Sequence, residues 1–360
     1  MSVKRPLFVL TLTLGMVPGL FVSRAGVAAA AAWQLVPAPP GTLGELYAVT
    51  AVSADDVWAA GRDDNDYPLI EHWDGTSWSV SPTPGLPSNG WLWGISADAS
   101  NDVWAVGRRT ISHTGATAAL AERWNGKKWS RIPVPGLTTG QYATNALFGV
   151  QALSPSDVWV VGEALDRQGR SRTLVERWNG THWTIMPAPP TTAHAISLLT
   201  PSFGWIAGQF RTRPDAQWRQ SSWRTVRTPL AREALFNDVL TESRSSAWGV
   251  GQDATTGTPL IEQFRKGSGW TVASTGTTDA GRLESVAEAT PGDAWAVGLD
   301  STSSNHNLLI HWDGTSWEPA AGPLVPDFPE LLSVTAVPGT DEFWAVGFDG
   351  DDDQVIEHYG

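Results

Sequence analysis

The hexapeptide Asp102-Val103-Trp104-Ala105-Val106-Gly107 returns along the chain, and its recurrence decides the fold. Close copies stand at 56–61 (Asp-Val-Trp-Ala-Ala-Gly), 157–162 (Asp-Val-Trp-Val-Val-Gly), 293–298 (Asp-Ala-Trp-Ala-Val-Gly) and 342–347 (Glu-Phe-Trp-Ala-Val-Gly). Looser copies stand at 203–208 (Phe-Gly-Trp-Ile-Ala-Gly) and 246–251 (Ser-Ala-Trp-Gly-Val-Gly). The central tryptophans are Trp58, Trp104, Trp159, Trp205, Trp248, Trp295 and Trp344, spaced 43 to 55 residues apart. Self-similarity at that period means one small unit repeated, each copy burying its apolar face against the next.

Each unit divides into four short strands, a to d. In the first, Leu46 to Val52 alternates and is rich in β-branched residues (a), Val57 to Ala60 follows (b), then Leu69 to Trp73 (c) and Trp78 to Val80 (d). Asp74-Gly75 makes the tight c–d turn, since glycine accepts positive φ without a steric cost. Pro82 and Pro84 stop strand d. The turn Trp-(Asp/Asn)-Gly-x-x-Trp recurs at Trp73–Trp78, Trp124–Trp129, Trp178–Trp183 and Trp312–Trp317. Repeats four and five lose it but keep Trp218, Trp223 and Trp270, with Phe264 in place of the strand c tryptophan. The expectation is an all-β fold, a seven-bladed β-propeller of four-stranded blades. Repeat seven ends at Glu357-His358-Tyr359-Gly360 after strand c, while Trp33-Gln34-Leu35-Val36-Pro37 reads as a strand d with no blade before it. Pairing the two closes the ring, the N-terminal strand d completing blade seven and leaving no exposed edge.

Of the 21 tryptophans, all but Trp91 and Trp93 fall in strands b, c or d and are expected to wedge between blades. Glu71, Glu122, Glu176, Glu262 and Glu357 recur two positions before the strand c aromatic, which points to a repeated structural hydrogen bond. His72, His311 and His358 are in register too and read as structural.

Lys4 and Arg5 precede an apolar stretch from Leu7 to about Val22, and an alanine run from Ala28 to Ala32 offers small-residue cleavage sites. Residues 1–32 therefore read as a cleaved secretory signal peptide and 33–360 as one propeller domain, secreted and with no membrane attachment after cleavage. The chain carries 24 Lys and Arg against 37 Asp and Glu, a net charge of −13, so it lacks the basic footprint of a nucleic-acid binder. It holds no cysteine, which excludes disulfides, a thiolate nucleophile and cysteine-ligated metals.

The b–c and d–a loops vary in length and emerge on one face of such a ring, where recognition is usually placed. Aligned on the strand b tryptophan, Trp93 is level with Tyr47, Phe148, His194, Phe236, Glu284 and Leu332, close to the mouth of the ring. Trp91 is level with Glu45, Arg282 and Glu330, has no aromatic counterpart, and reads as a surface platform. The candidate ligand-binding set is thus Trp91, Trp93, Tyr47, Phe148, His194, Phe236, Arg282 and Glu284. Asp63, Asp64 and Asp66 lie on the b–c loop of blade one, and Asp349, Asp351, Asp352 and Asp353 on that of blade seven, its neighbour in the ring. Alternating carboxylates can ligate Ca²⁺, although this spacing matches no established calcium loop and a solvated acidic loop is the simpler expectation. No other cofactor is expected.

The repeat and its Trp-(Asp/Asn)-Gly-x-x-Trp hairpin resemble those of secreted bacterial β-propellers built on the Asp-Val-Trp-Ala-Val-Gly unit. The Gly-His and Trp-Asp pattern of WD repeats and the double glycine of kelch repeats are missing. The arrangement also looks like the propeller lectins that tip umbrella-shaped antibacterial toxin particles, which implies a glycan ligand and a secreted scaffold-protein partner. The first functional expectation is a carbohydrate-binding propeller for cell-surface or extracellular polysaccharide, with aromatic faces stacking on sugar rings. A polysaccharide lyase or glycoside hydrolase would need convergent carboxylates at the mouth; Glu284, Glu330 and Asp238 are the acids at hand, with no catalytic pair among them singled out. A protein-interaction scaffold is the third expectation.

Overall fold

Alternating apolar residues bounded by Gly, Asp, Asn and Pro turns give strands and nothing else: no helix occurs among the described residues. The computed structural model describes residues 31–83, 89–111, 115–137, 144–165, 168–189, 193–208, 215–219, 221–230 and 234–360. The expected signal peptide thus lies, but for its last two residues, outside the described residues. Ala32–Gly360 gathers into one compact unit.

Strand β1 (Trp33–Leu35) is followed by an antiparallel meander of β2 (Gly44–Ser53), β3 (Asp56–Asp63), β4 (Pro68–Trp73) and β5 (Trp78–Val80). Two more meanders, β6 (Gly90–Ala99), β7 (Asp102–Thr110), β8 (Thr117–Trp124), β9 (Trp129–Arg131) and β10 (Thr144–Ser154), β11 (Asp157–Leu165), β12 (Ser171–Trp178), β13 (Trp183–Ile185), are joined by a single parallel pairing of Thr144 with Thr117. Then come β14 (Ala195–Thr200), β15 (Phe203–Ala207), β16 (Asp215–Arg219), β17 (Ser222–Val226), and β18 (Ala234–Leu240), β19 (Ser246–Asp253), β20 (Pro259–Arg265), β21 (Gly269–Ala273). The last are β22 (Gly281–Thr290), β23 (Asp293–Asp300), β24 (Asn307–Trp312), β25 (Trp317–Pro319), and β26 (Glu330–Ala336), β27 (Phe343–Phe348), β28 (Gln354–Tyr359). The N-terminal β1 completes that final sheet, pairing antiparallel with β28 so that Trp33 faces Tyr359. Strand β3 runs on to Asp63, so Asp63, expected on a loop, extends the ladder by pairing with Gly44, next to Arg62 with Glu45.

Apolar clusters lie between successive sheets rather than at one centre. In six of them the hexad tryptophan packs against the third- and fourth-strand aromatics of the next sheet, and in the remaining one Trp159 meets the third-strand Trp218 at 5.3 Å. Trp58 lies 5.3 Å from Trp124 and 5.6 Å from Trp129, Trp248 5.1 Å from Trp312 and 5.2 Å from Trp317. Trp295 meets Tyr359 at 5.0 Å and Trp33 at 5.2 Å, and Trp344 returns to the first meander, 4.9 Å from Trp73 and 5.4 Å from Trp78. The acid that opens the hexad has its own task. Asp102 and Asp157 ion-pair with Arg123 and Arg177, at 2.5 and 2.7 Å, and those guanidiniums lie over Trp104 and Trp159. Asp56 and Asp293 each lie 2.8 Å from a histidine, His72 or His311, whose ring stacks on Trp58 or Trp295.

The hexad glycine is required by a close approach. Opposite it the first strand bulges, and a Cβ on Gly61 or Gly107 would lie 1.8 Å from the carbonyl oxygen of Glu45 or Trp91. The recurring glutamates are buried: Glu71, Glu176, Glu262 and Glu357 are 0% exposed and Glu122 2%. Three reach across to the preceding sheet or the loop leading from it. Gln354 Nε2 donates to Glu71 at 3.0 Å, the Gly136 amide to Glu176 at 2.9 Å and Asn307 Nδ2 to Glu357 at 2.6 Å.

Burial pushes all five glutamates up to about 7. The fold therefore retains protons that the unfolded chain gives up near its ordinary 4.5, and this stabilisation is lost as pH rises from there through 7. Asp74 and Asp313 have the opposite sign: turn hydrogen bonds, from Thr76 and Thr315 first, hold them at about 2, so their contribution is lost as pH falls from 3.8 toward 2. The melting temperature should peak near pH ~5 and fall by pH ~8, at up to about 1.4 kcal/mol per pK unit for each glutamate. Glu262→Gln should melt above the parent at the higher pH and no higher at the lower. A flat profile over that range would contradict protonated glutamates. Trp33→Ala should cost about 3–5 kcal/mol in chemical denaturation, as a buried indole that ties the first strand to two sheets.

Candidate functional site

The bulge that the hexad glycine permits turns one residue of each first strand outward at the strand's beginning. Register shifts put Tyr47, Trp93, Phe148, Glu284 and Leu332 at that point. His194 holds the corresponding place before β14, its amide donating to the Ala207 carbonyl at 2.9 Å. Phe236 does not belong to this level. It pairs with Gly251 as Leu46 does with Gly61, is 0% exposed, and packs 3.1 Å from where a Cβ on Gly249 would stand. Asn237 takes the bulge instead and donates from Nδ2 to the Leu283 carbonyl at 2.9 Å. Twelve residues separate Phe236 from Trp248, as they do both Leu46 from Trp58 and Leu332 from Trp344, so spacing alone does not distinguish the core place from the bulge.

Neighbouring bulge residues touch. Trp93 and Phe148 lie 5.3 Å apart and Phe148 and His194 5.0 Å, an aromatic shelf that crosses three meanders. Burial lowers the His194 imidazole below its ordinary value, which keeps it neutral near pH ~7. On the other side of Trp93 the surface turns polar. Arg62 donates from Nε to the Tyr47 hydroxyl at 2.9 Å, pairs with Asp66 at 2.6 Å and bonds Glu45, which also accepts from Tyr47. Burial first, and then that bond to Glu45, raises the Tyr47 phenol above its usual value. Arg282 pairs with both Glu284 and Glu330 at 2.5 Å. Burial and then the charge of Glu330 push Glu284 up to about 7. Asp238 is tied inward, accepting from the Val239 amide at 2.8 Å, Ser285 Oγ at 3.0 Å and the Val286 amide at 3.1 Å.

Trp91 is not the bare platform expected of it. It is half-buried, its Nε1 donates to Asp66 at 3.1 Å, and the guanidiniums of Arg62 and Arg108 both lie 4.8 Å from its ring. Arg108 also lies 5.0 Å from the Trp93 ring. Among the described residues it has no carboxylate partner, and burial lowers its pKa. Arg62 and Arg108 were missed from sequence. Their signal was present: each directly follows a hexad glycine, at the point where strand b reaches the variable face.

The acidic loops are built as turns rather than as a cation cage. Asp63 Oδ1 accepts from the Asn65 amide at 3.0 Å and the Tyr67 amide at 2.8 Å, and Asp349 Oδ1 from the Asp351 and Asp353 amides at 3.0 and 3.1 Å. Asp66 and Asp352 occupy the left-handed region, φ 60° and 61°, which aspartate tolerates. Asp64 bonds Asn65 and Asp66 bonds Arg62. Among the described residues no group of three His, Cys, Asp or Glu side chains is arranged to hold a metal ion, and of the candidate ligands Asp63, Asp64, Asp66, Asp349, Asp351 and Asp353, Asp63 and Asp349 cap their own loops while Asp66 pairs with Arg62.

No protein-family profile and no curated protein matches the chain. Its fold is similar to those of solved β-propellers. YCF48 bound to D1 peptide superposes with a TM-score of 0.62 at 14% identity, over 91% of this chain and 96% of that one. The WD40 β-propeller domain of Doa1 gives 0.61 at 14% identity, over 90% and 96%. A catalytically inactive virginiamycin B lyase from Staphylococcus aureus with quinupristin gives 0.63 at 11% identity, over 92% and 99%. At such identities the likeness concerns the fold alone, and the chain is a β-propeller repeat protein.

Trp91→Ala should lower stability by about 1–2 kcal/mol, through the lost ring contacts of two arginines and one indole hydrogen bond. Chemical denaturation measures this directly. An unchanged unfolding curve would mean that Trp91 does not hold Arg62 and Arg108 in place.

Proposed function

We propose that the chain is a closed seven-bladed propeller, exported, that works as a platform for a protein or peptide partner on its bulged face. Contact between neighbouring first strands supports closure: β2 meets β6, then β10, β14, β18, β22 and β26 follow in turn, and β26 meets β2. The observation that carries the binding assignment is Arg108. Arg62 and Arg282 are each held by two acids, whereas Arg108 rests on two indoles beside the Trp93–Phe148–His194 shelf, with no acid paired to it among the described residues. A desolvated guanidinium next to aromatic surface suits an extended segment that offers a carboxylate and, close by, an apolar side chain. Propellers of similar fold include one solved with a peptide, which fits this use of the scaffold. The acids that a hydrolase would draw on are committed elsewhere, Glu284 and Glu330 to Arg282 and Asp238 to the β22 backbone.

The aromatic shelf would equally stack on sugar rings, with Arg108 meeting a uronate, so polysaccharide is the competing ligand. The test is a peptide display library panned in parallel with a polysaccharide array. Peptides with an acid near an aromatic or aliphatic residue are expected to be enriched. Arg108→Ala and Phe148→Ala should weaken the selected peptide at least tenfold, about 1.4 kcal/mol, with circular dichroism showing both variants folded. Binding confined to polysaccharide, or peptide affinity untouched by both changes, would overturn the protein-partner assignment.

A further inference from the structure

At the opposite end of the strands from the bulges, the β14–β17 sheet departs from its siblings in a way that its fold does not require. The position after the fourth-strand tryptophan is Gln34, Ser79, Ser130, Thr184, Thr271 or Glu318 elsewhere, and Arg224 here. The position after the third-strand aromatic, the turn-capping Asp74, Asn125, Asn179 or Asp313 in four repeats, is Arg219 here and Arg265 in the following repeat. Pairing of Arg219 with both Phe203 and Ser222, and of Arg224 with Gln217, puts Phe203, Arg219, Ser222 and Arg224 on one face of the sheet. Arg244, from the turn between β18 and β19, reaches over Phe203 with its guanidinium 5.3 Å from the ring. Together with Ser202 these residues line an open cavity of about 670 Å³.

No carboxylate among the described residues pairs with any of the three arginines. The nearest acid in sequence to Arg244 is Glu242, and it is already occupied, accepting from Trp248 Nε1 at 2.8 Å and from Ser246 Oγ. In a chain of net charge −13, three exposed guanidiniums, none paired with an acid among the described residues, gather positive charge around one open cavity, where an anion with several oxygens can meet all three. We infer that this cavity is a binding site for a multiply charged tetrahedral oxyanion of the phosphate type, held by Arg219, Arg224 and Arg244 with the hydroxyls of Ser202 and Ser222 as additional donors. Guanidinium forks match the oxygen edges of such a group, and hydroxyls complete its coordination. The site is independent of the bulged face.

Titration calorimetry of the full folded chain with inorganic phosphate and with pyrophosphate, at low ionic strength, tests this. One saturable site per chain is expected, tighter for the more highly charged pyrophosphate and weakening as sodium chloride is added. Arg224→Ser and Arg244→Ser should each weaken pyrophosphate at least tenfold, and circular dichroism should show both variants folded. Arg131→Ser, a change outside the cavity, should leave binding as it is. Absence of saturable binding, or equal loss with Arg131→Ser, would overturn the assignment. So would thermal protection that chloride reproduces at matched ionic strength.

Discussion

Everything in this structure depends on one contact, the indole of each hexad tryptophan set into the face of the following sheet. A four-stranded meander of short strands cannot bury enough apolar surface to stand alone. Trp104 supplies what is missing. It is fully buried, 5.6 Å from Trp178 and 5.5 Å from Trp183 of the next meander, and Arg123 covers it on its own sheet. The same device returns from Trp344 to Trp73 and Trp78, so the last sheet packs on the first with the same chemistry as any other neighbouring pair.

The hexad encodes more than that wedge. Its acid fixes the cation or imidazole that covers the indole, and its glycine removes the one Cβ that would collide with the bulged neighbour. The bulge then aims a side chain at the variable face. Scaffold and site are therefore coupled: the glycine that lets the sheet form also sets where Tyr47, Trp93 and Phe148 point. Freed from packing between sheets, these positions differ from repeat to repeat, aromatic in three, imidazole in one, and Asn237, Glu284 and Leu332 in the others.

Buried glutamates add a second kind of link between sheets. A carboxyl taken out of water prefers its neutral form, and the neutral form can donate as well as accept. Glu71, Glu176 and Glu357 each take a hydrogen bond from the preceding sheet or its loop, so the protonation state of the joints and the cohesion of the sheets are tied together. The arginine-lined cavity of the β14–β17 sheet stands apart from this scheme, because Arg219 stands where four other repeats carry a turn-capping Asp or Asn.

The sequence by itself determined the strands, their grouping in fours, the role of nearly every tryptophan and the pairing of Trp33-Gln34-Leu35 with the last repeat. A repeat writes its packing rule many times over, and a rule repeated at a fixed period can be read from spacing alone. Tertiary structure decided which of the irregular residues work together. Phe236 looked like a surface aromatic until its pairing with Gly251 turned it into the core. Trp91 looked exposed until Arg62 and Arg108, distant from it in sequence, closed over its ring. The Phe236 and Trp91 environments each occur once and depend on a neighbour contributed by another strand. Periodicity carries no information about such contacts, because they are set by where folded strands end and not by the residues that make them fold.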